Sequence, residues 1–117
     1  MTYVDGFVLP IPNDRIDDYK KMARKAGKIW MEYGAISYFE CMGDDVPKGK
    51  TTDFYRSVKV KEGETPWFSF IVYKNKRDRD AILKKIMSDP RLKMDMKDMP
   101  FDGKRMIYGG FKTVVEM

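Results

Sequence analysis

The sequence predicts a single α+β domain over residues 1–117, and three observations carry that reading. Four short runs rich in aliphatic, β-branched and aromatic residues alternate with a period of two. Two longer stretches repeat their apolar residues at steps of three and four, and Gly, Pro, Asn and Asp cluster at the joints. In chain order these read strand, helix, strand, strand, helix, strand. That is a split βαβ unit used twice, the ferredoxin-like βαββαβ sandwich. It lays both helices on one face of a four-stranded antiparallel sheet, with strands one and three at the centre.

Residues 2–11 form the first strand, with Tyr3, Asp5, Phe7 and Leu9 on one face and Val4, Gly6 and Val8 on the other. Pro12 and Asn13 break it, and Asp14 is placed to cap a helix whose Asp17 and Asp18 complement the positive end of the helix dipole. Ile16, Tyr19, Ala23, Ala26, Trp30 and Tyr33 form one apolar stripe, Lys20, Lys21, Arg24, Lys25 and Lys28 face outward, and Gly34 ends the helix in a left-handed conformation. A second strand over 35–42 runs into the turn residues Gly43, Asp44, Asp45, Pro47 and Gly49. The stretch 52–60 fits either a short helix or an extended piece, and the short helix is favoured. Residues 67–73 make an aromatic third strand. Asn75, with Asp78 three residues on, opens a second helix whose apolar face is Ile82, Leu83, Ile86 and Met87 and which Pro90 stops. Residues 91–102 hold no sustained period and read as an irregular connection with room for one helical turn. Residues 105–115 supply the fourth strand, in which Gly109 and Gly110 suggest a bulge or a close approach of backbone to a ligand or a neighbouring subunit.

With both helices on one side, the other sheet face is bare. The strand phases chosen here place Tyr3, Phe7, Trp67, Ile71, Tyr73, Met106 and Tyr108 on it. A second copy would cover so large an apolar area, giving a homodimer with a barrel-like core.

Composition narrows the function classes. The net charge is +5, and basic residues such as Lys74, Lys76, Arg77 and Arg79 interleave with Asp78 and Asp80 as on a solvated helix, so nucleic acid is a disfavoured partner. No run approaches the roughly 18 apolar residues of a membrane span. The start of the chain lacks a secretory pattern, and the one cysteine, Cys41, read as a small buried hydrophobe, suits a reducing compartment. The expected location is the cytoplasm. The absence of histidine excludes Ser-His-Asp and Cys-His machinery, imidazole zinc sites and histidine-ligated haem. Residues 43–51, GDDVPKGKT, miss the phosphate-cradling loop by one residue in the spacer and carry two aspartates and a proline. Asp44, Asp45 and Asp53 lack the spacing of a cation loop. No cofactor and no metal site are expected.

Asp5 and Glu40 stand out because a carboxylate inside an apolar strand is costly unless paired, protonated or used. Arg105 is the partner proposed from sequence. A carboxyl of raised pKa beside Tyr3, Tyr73 and Tyr108 has the makings of a general base, and the competing reading is a structural ion pair at a subunit interface. The catalytic candidates are therefore Asp5, Glu40 and Arg105. The ligand-binding candidates are Tyr3, Trp30, Trp67, Tyr73 and Tyr108, with core packing the plainer role for the two tryptophans.

Four stretches, YVDGFVLPIP, DDVPKGKTTDF, MSDPR and MPFDGKRMIYGGF, span nearly the whole chain and resemble the YbaA-like family of small bacterial proteins of unknown function. The resemblance implies a dimeric α/β-barrel fold and carries over no activity, cofactor or catalytic residue. The expected function is a cytoplasmic homodimer that binds a small molecule in or beside its barrel, as a binder or as a cofactor-independent enzyme. The alternatives are a non-catalytic protein-interaction or stress-associated module and an RNA-binding protein.

Overall fold

Period-two alternation in the strands decides the layering of the computed structural model, which describes residues 1–94 and 96–117. The strands are β1 (Tyr3–Pro12), β2 (Ser37–Met42), β3 (Glu64–Tyr73) and β4 (Ile107–Lys112). The helices are α1 (Ile16–Glu32), α2 (Phe54–Ser57) and α3 (Lys76–Ser88). The four strands form one antiparallel sheet in the order β2-β3-β1-β4, so β1 and β3 are central as the sequence predicts. The molecule is α+β, and α2 takes the short-helix option within 52–60.

One sheet face carries both long helices. Leu9, Ile11 and Trp67 meet Tyr19 and Ala23 of α1, while Ile71 and Tyr73 meet Ile29 of α1 together with Ile82 and Ile86 of α3. Leu9, Ile11 and Tyr73 are at most 1% exposed, and each such side chain gives about 1.5–3 kcal/mol of transfer free energy before entropy is subtracted. The pairings Asp5↔Ile71, Phe7↔Tyr108 and Glu40↔Ser69 bring Tyr3, Phe7, Trp67, Ile71, Tyr73 and Tyr108 to this helix-bearing face. Met106 packs against the Leu9–Tyr19–Trp67 cluster. The bare face is therefore the opposite one, with Val4, Val8, Phe39, Phe68, Phe70, Ile107 and Phe111. Alternation tells which residues share a face but not which face the helices choose. Here they cover the side that also holds Leu9 and Ile11.

Local chemistry sets the element ends. Asp53 caps α2 by accepting from the Arg56 N–H at 2.8 Å, and Asn75 caps α3 by accepting from the Asp78 N–H at 2.7 Å, the latter as the sequence predicts. Gly34 takes the left-handed conformation expected of it, with φ of 113°. Asp14 does not cap α1. A 3-10 turn over Asn13–Arg15 precedes the helix, which starts without a side-chain cap. The connection before β4 folds into 3-10 turns at Pro90–Leu92, Met96–Asp98 and Gly103–Arg105; residue 95, within the connection expected to be irregular, lies outside the described residues. Strand β4 starts at Ile107 rather than at 105 because Asp102 caps the Gly103–Arg105 turn. Its pairing with β1 runs unbroken from Val8↔Ile107 to Tyr3↔Lys112, so Gly109 and Gly110 form no bulge.

Candidate functional site

The two carboxylates singled out in sequence, Asp5 on β1 and Glu40 on β2, share the helix-bearing face but sit in separate networks. Asp5 is 5% exposed and lies 3.4 Å from Arg79 of α3. The Tyr73 hydroxyl hydrogen-bonds it, and that same hydroxyl accepts from Trp30 Nε1 at 3.0 Å. Arg79 continues to Tyr3, donating to its hydroxyl at 3.2 Å and lying over its ring. Burial is the largest influence on Asp5 and holds its pKa above the ordinary carboxylate value despite Tyr73 and Arg79. Gly110, opposite Asp5, makes room for this cluster, since a Cβ there would stand 2.8 Å from the Tyr3 ring and 2.9 Å from Arg79 Nη2. The close approach that the paired glycines suggested is thus to the chain's own side chains.

Glu40 lies beneath α1. Tyr19 of α1 donates its hydroxyl to Glu40 Oε1 at 2.8 Å, Tyr38 donates to Oε2 at 3.1 Å, and Ser69 across the β2–β3 pair adds a third hydroxyl. Tyr38 and Glu40 are two apart on β2, so they face the same way, and Tyr19 comes down from the helix stripe. Burial, the largest influence, raises the Glu40 pKa against the lowering effect of those hydroxyls. Burial, followed by the nearby carboxylate, pushes both tyrosines well above the usual phenol range. Glu40 takes part in no ion pair among the described residues. It is a carboxyl held only by hydroxyls in a largely apolar setting, the kind of perturbed group from which acid–base chemistry is built.

Two cavities flank α1 and share the wall formed by Ala23, Tyr38 and Glu40. The first, about 750 Å³, opens between α1 and β2 and adds Gly27, Met31, Met42 and Trp67. The second, about 990 Å³, lies between α1, α3 and the 89–106 segment and includes Phe7, Trp30, Ile86 and Phe101. Gly27 is needed where the helix meets the sheet: a Cβ there would lie 2.8 Å from the Tyr38 ring. Tyr38 can therefore lie flat under α1 and reach Glu40. The indole Nε1–H of Trp67 is fully buried and has no hydrogen-bond acceptor among the described residues.

Residues 2–103 of the chain match the family described as a protein of unknown function (DUF1428). The chain belongs to the DUF1428 family. The uncharacterized protein YbaA of Escherichia coli K12 is 52% identical over 116 residues covering 99% of both chains, and YbaA of Shigella flexneri gives the same figures. The resemblance read from the four sequence stretches is thereby borne out. Among solved structures, the de novo designed protein Foldit4 overlaps with a TM-score of 0.46 at 10% identity, covering 99% of this chain and all of its own. DUF1428 membership names no reaction, so the chemistry has to be read from the geometry.

Of the residues singled out in sequence, Asp5, Tyr3, Tyr73 and Trp30 come together around Arg79, whereas Glu40 and Trp67 meet at the first cavity. Tyr108 is 74% exposed and stacks on Phe7. Arg105 pairs with neither Asp5 nor Glu40. It forms a two-armed ion pair with Glu64, both arms at 2.7 Å, and reaches Asp102 at 3.0 Å, fastening the start of β3 to the turn before β4. The 3-10 turn at Gly103–Arg105 aims its side chain at Glu64, whose pKa the guanidinium lowers. Arg79, Tyr19 and Tyr38 are the participants that sequence reasoning passed over. The signal for the tyrosines was present, a Tyr-x-Glu alternation on β2 and a tyrosine in the α1 stripe. The GDDVPKGKT loop is closed by its own contacts: the Gly49 N–H donates to Asp53 at 3.1 Å, and the Gly49 and Lys50 carbonyls accept from Arg56. Cys41 is exposed on the bare face, opposite Phe68, rather than buried. No described helix is long and apolar enough to cross a membrane.

Proposed function

We propose that this chain binds a small molecule in the cavity between α1 and β2, with Glu40 as the polar residue that orients it or exchanges a proton with it. The observation that carries this reading is the wall shared by the two cavities. There a carboxyl of raised pKa, held by Tyr19 and Tyr38, borders about 750 Å³ of largely apolar space, within the usual range for small-molecule pockets. Glu40 can accept a proton from a bound acidic group while the two phenols stabilise the charge it loses or gains, a step that requires no cofactor. Trp67 forms part of the pocket wall. Asp5, Tyr3 and Tyr73 take a structural part through Arg79, and Arg105 takes one through Glu64.

The working unit in this reading is a ferredoxin-like homodimer, an α/β barrel closed by the bare sheet faces of two copies. Phe39, Phe68, Ile107 and Phe111 are each between 45% and 63% exposed there, and no charged residue stands among them. A largely apolar face of this kind can pair with its own copy under a two-fold axis. A reducing cytoplasm suits the exposed thiol of Cys41 on that face.

The test is a thermal-shift screen of the wild type, Glu40→Gln and Asp5→Asn against a metabolite panel. The expected outcome is a compound that raises the Tm of the wild type and of Asp5→Asn but not of Glu40→Gln. A panel with no stabilising compound, or one whose effect survives Glu40→Gln unchanged, sinks the reading.

A further inference from the structure

From the charge around the same cavity and an orphaned donor buried in its wall, we infer that its occupant is a soluble amphipathic anion: an apolar body with a carboxylate-, sulfonate- or phosphate-like head that α1 holds at the cavity mouth. This rests on the binding reading above and adds the chemical class of the ligand.

Three features support the class. The first is the rim. Lys20, Arg24 and Lys28, spaced by four along α1, all border the first cavity; all three are exposed, and none is engaged in an ion pair or hydrogen bond among the described residues. Glu40 is the single acidic residue of a lining that holds these three cations, so the field at the mouth is positive. The second is the wall, where Ala23, Gly27, Met31 and Met42 offer an apolar trough for the body of the molecule. The third is Trp67, whose residue is 3% exposed, whose side chain lines the cavity and whose Nε1–H is without an acceptor among the described residues. A buried donor left unmade costs about 1–3 kcal/mol; the Nε1 atom is closed to solvent, so an acceptor oxygen in the pocket relieves that penalty as the indole shifts toward it. Cations at the mouth, an apolar trough and a spare donor together describe an anionic acceptor, not a cation or a neutral hydrocarbon. The source is a free molecule, not a bilayer, because Tyr19, Ala23 and Ile29 of α1 are buried against the sheet and that helix has no free apolar stripe to insert into lipid.

The experiment uses 8-anilinonaphthalene-1-sulfonate and its uncharged analogue N-phenyl-1-naphthylamine, titrated into the intact chain while the two indole N–H resonances are followed by NMR. Trp30→Phe assigns the Trp67 signal. The sulfonate is expected to move the Trp67 resonance and to bind about tenfold tighter than the neutral analogue, in line with a few exposed charge pairs. Added salt, or the triple variant Lys20→Gln/Arg24→Gln/Lys28→Gln, should remove that preference while leaving the neutral probe's affinity in place. Equal affinities, or a preference that survives the triple variant, would overturn the anion inference and leave the pocket reading standing. If neither probe moves the Trp67 signal, whether or not the dye fluoresces from the bare sheet face, both readings fail. Co-sedimentation with phosphatidylglycerol vesicles, lost in the triple variant, would move the site from a soluble ligand to a membrane surface and overturn the inference as stated.

Discussion

Carboxyl groups of opposite electrostatic character share this small molecule. Asp89, which closes α3, accepts from the Arg91 backbone and guanidinium and from the Tyr33 hydroxyl at 2.6 Å, and Arg91 reaches on to Glu32 at 2.7 Å. These donors, Arg91 first, hold the Asp89 pKa well below the carboxylate range. A group depressed in this way adds stability above its unfolded pKa of about 3.8, and that contribution is lost as pH falls through the folded value. Asp89→Asn is expected to lower Tm at pH 7, and the gap to wild type should close as the pH drops below about 4, as read by thermal melts across pH. Glu40 has the reverse sign. Its stabilising form is the protonated one, fully effective below about 4.5 and lost as pH rises through the raised folded value. Glu40→Gln should therefore gain on the wild type as pH rises above about 4.5. A Tm difference that stays constant over that range would contradict the raised pKa. That Asp5 and Glu40 are unusual was legible in sequence; their partners were not, and Asp89 was not singled out at all. Arg79 is 74 residues from Asp5 in the chain, and only the packing of α3 over the sheet decides that it, and not Arg105, arrives there.

At the level of elements, glycines mark where side chains must pass. Replacing Gly27 by Ala gains about 1 kcal/mol of helix propensity. It also forces a methyl to 2.8 Å from the Tyr38 ring, and overpacking of that kind costs about 1–3 kcal/mol. The clash is expected to win, so Gly27→Ala should lower denaturant stability and weaken any ligand that depends on Glu40, because Tyr38 must tilt away. Gly110→Ala should likewise lose about 1–3 kcal/mol in a urea melt, since Tyr3 and Arg79 fill the place of its missing side chain. Element order, the Asn75 cap and the Gly34 stop were readable because each depends on a few neighbouring residues. The true start of β4 and the 3-10 entry to α1 were not, because Glu64 and the Asn13–Gly63 backbone hydrogen bond that fix them come from remote parts of the chain.

For the whole molecule, the alternation of the strands was correct and the choice of covered face was inverted. The largest aromatics of β1 and β3 went under the helices, while the phenylalanines of β2, β3 and β4 were left outside. That outer face gives the proposed homodimer a clear test. Phe68→Lys and Phe111→Glu are each expected to convert a dimer into a soluble, folded monomer by light scattering, with unchanged far-ultraviolet circular dichroism. A monomeric wild type at micromolar concentration would dispose of the interface.

Cys41 stands on the edge strand β2 of that face, paired with Phe68 on the neighbouring strand. Anything attached to this sulfur becomes a wedge between sheets. A bulky maleimide should react quickly with dilute chains and slowly with concentrated ones, and each chain it marks would be barred from pairing. Labelling rate against concentration would thus report association through a single atom, without any substitution in the protein.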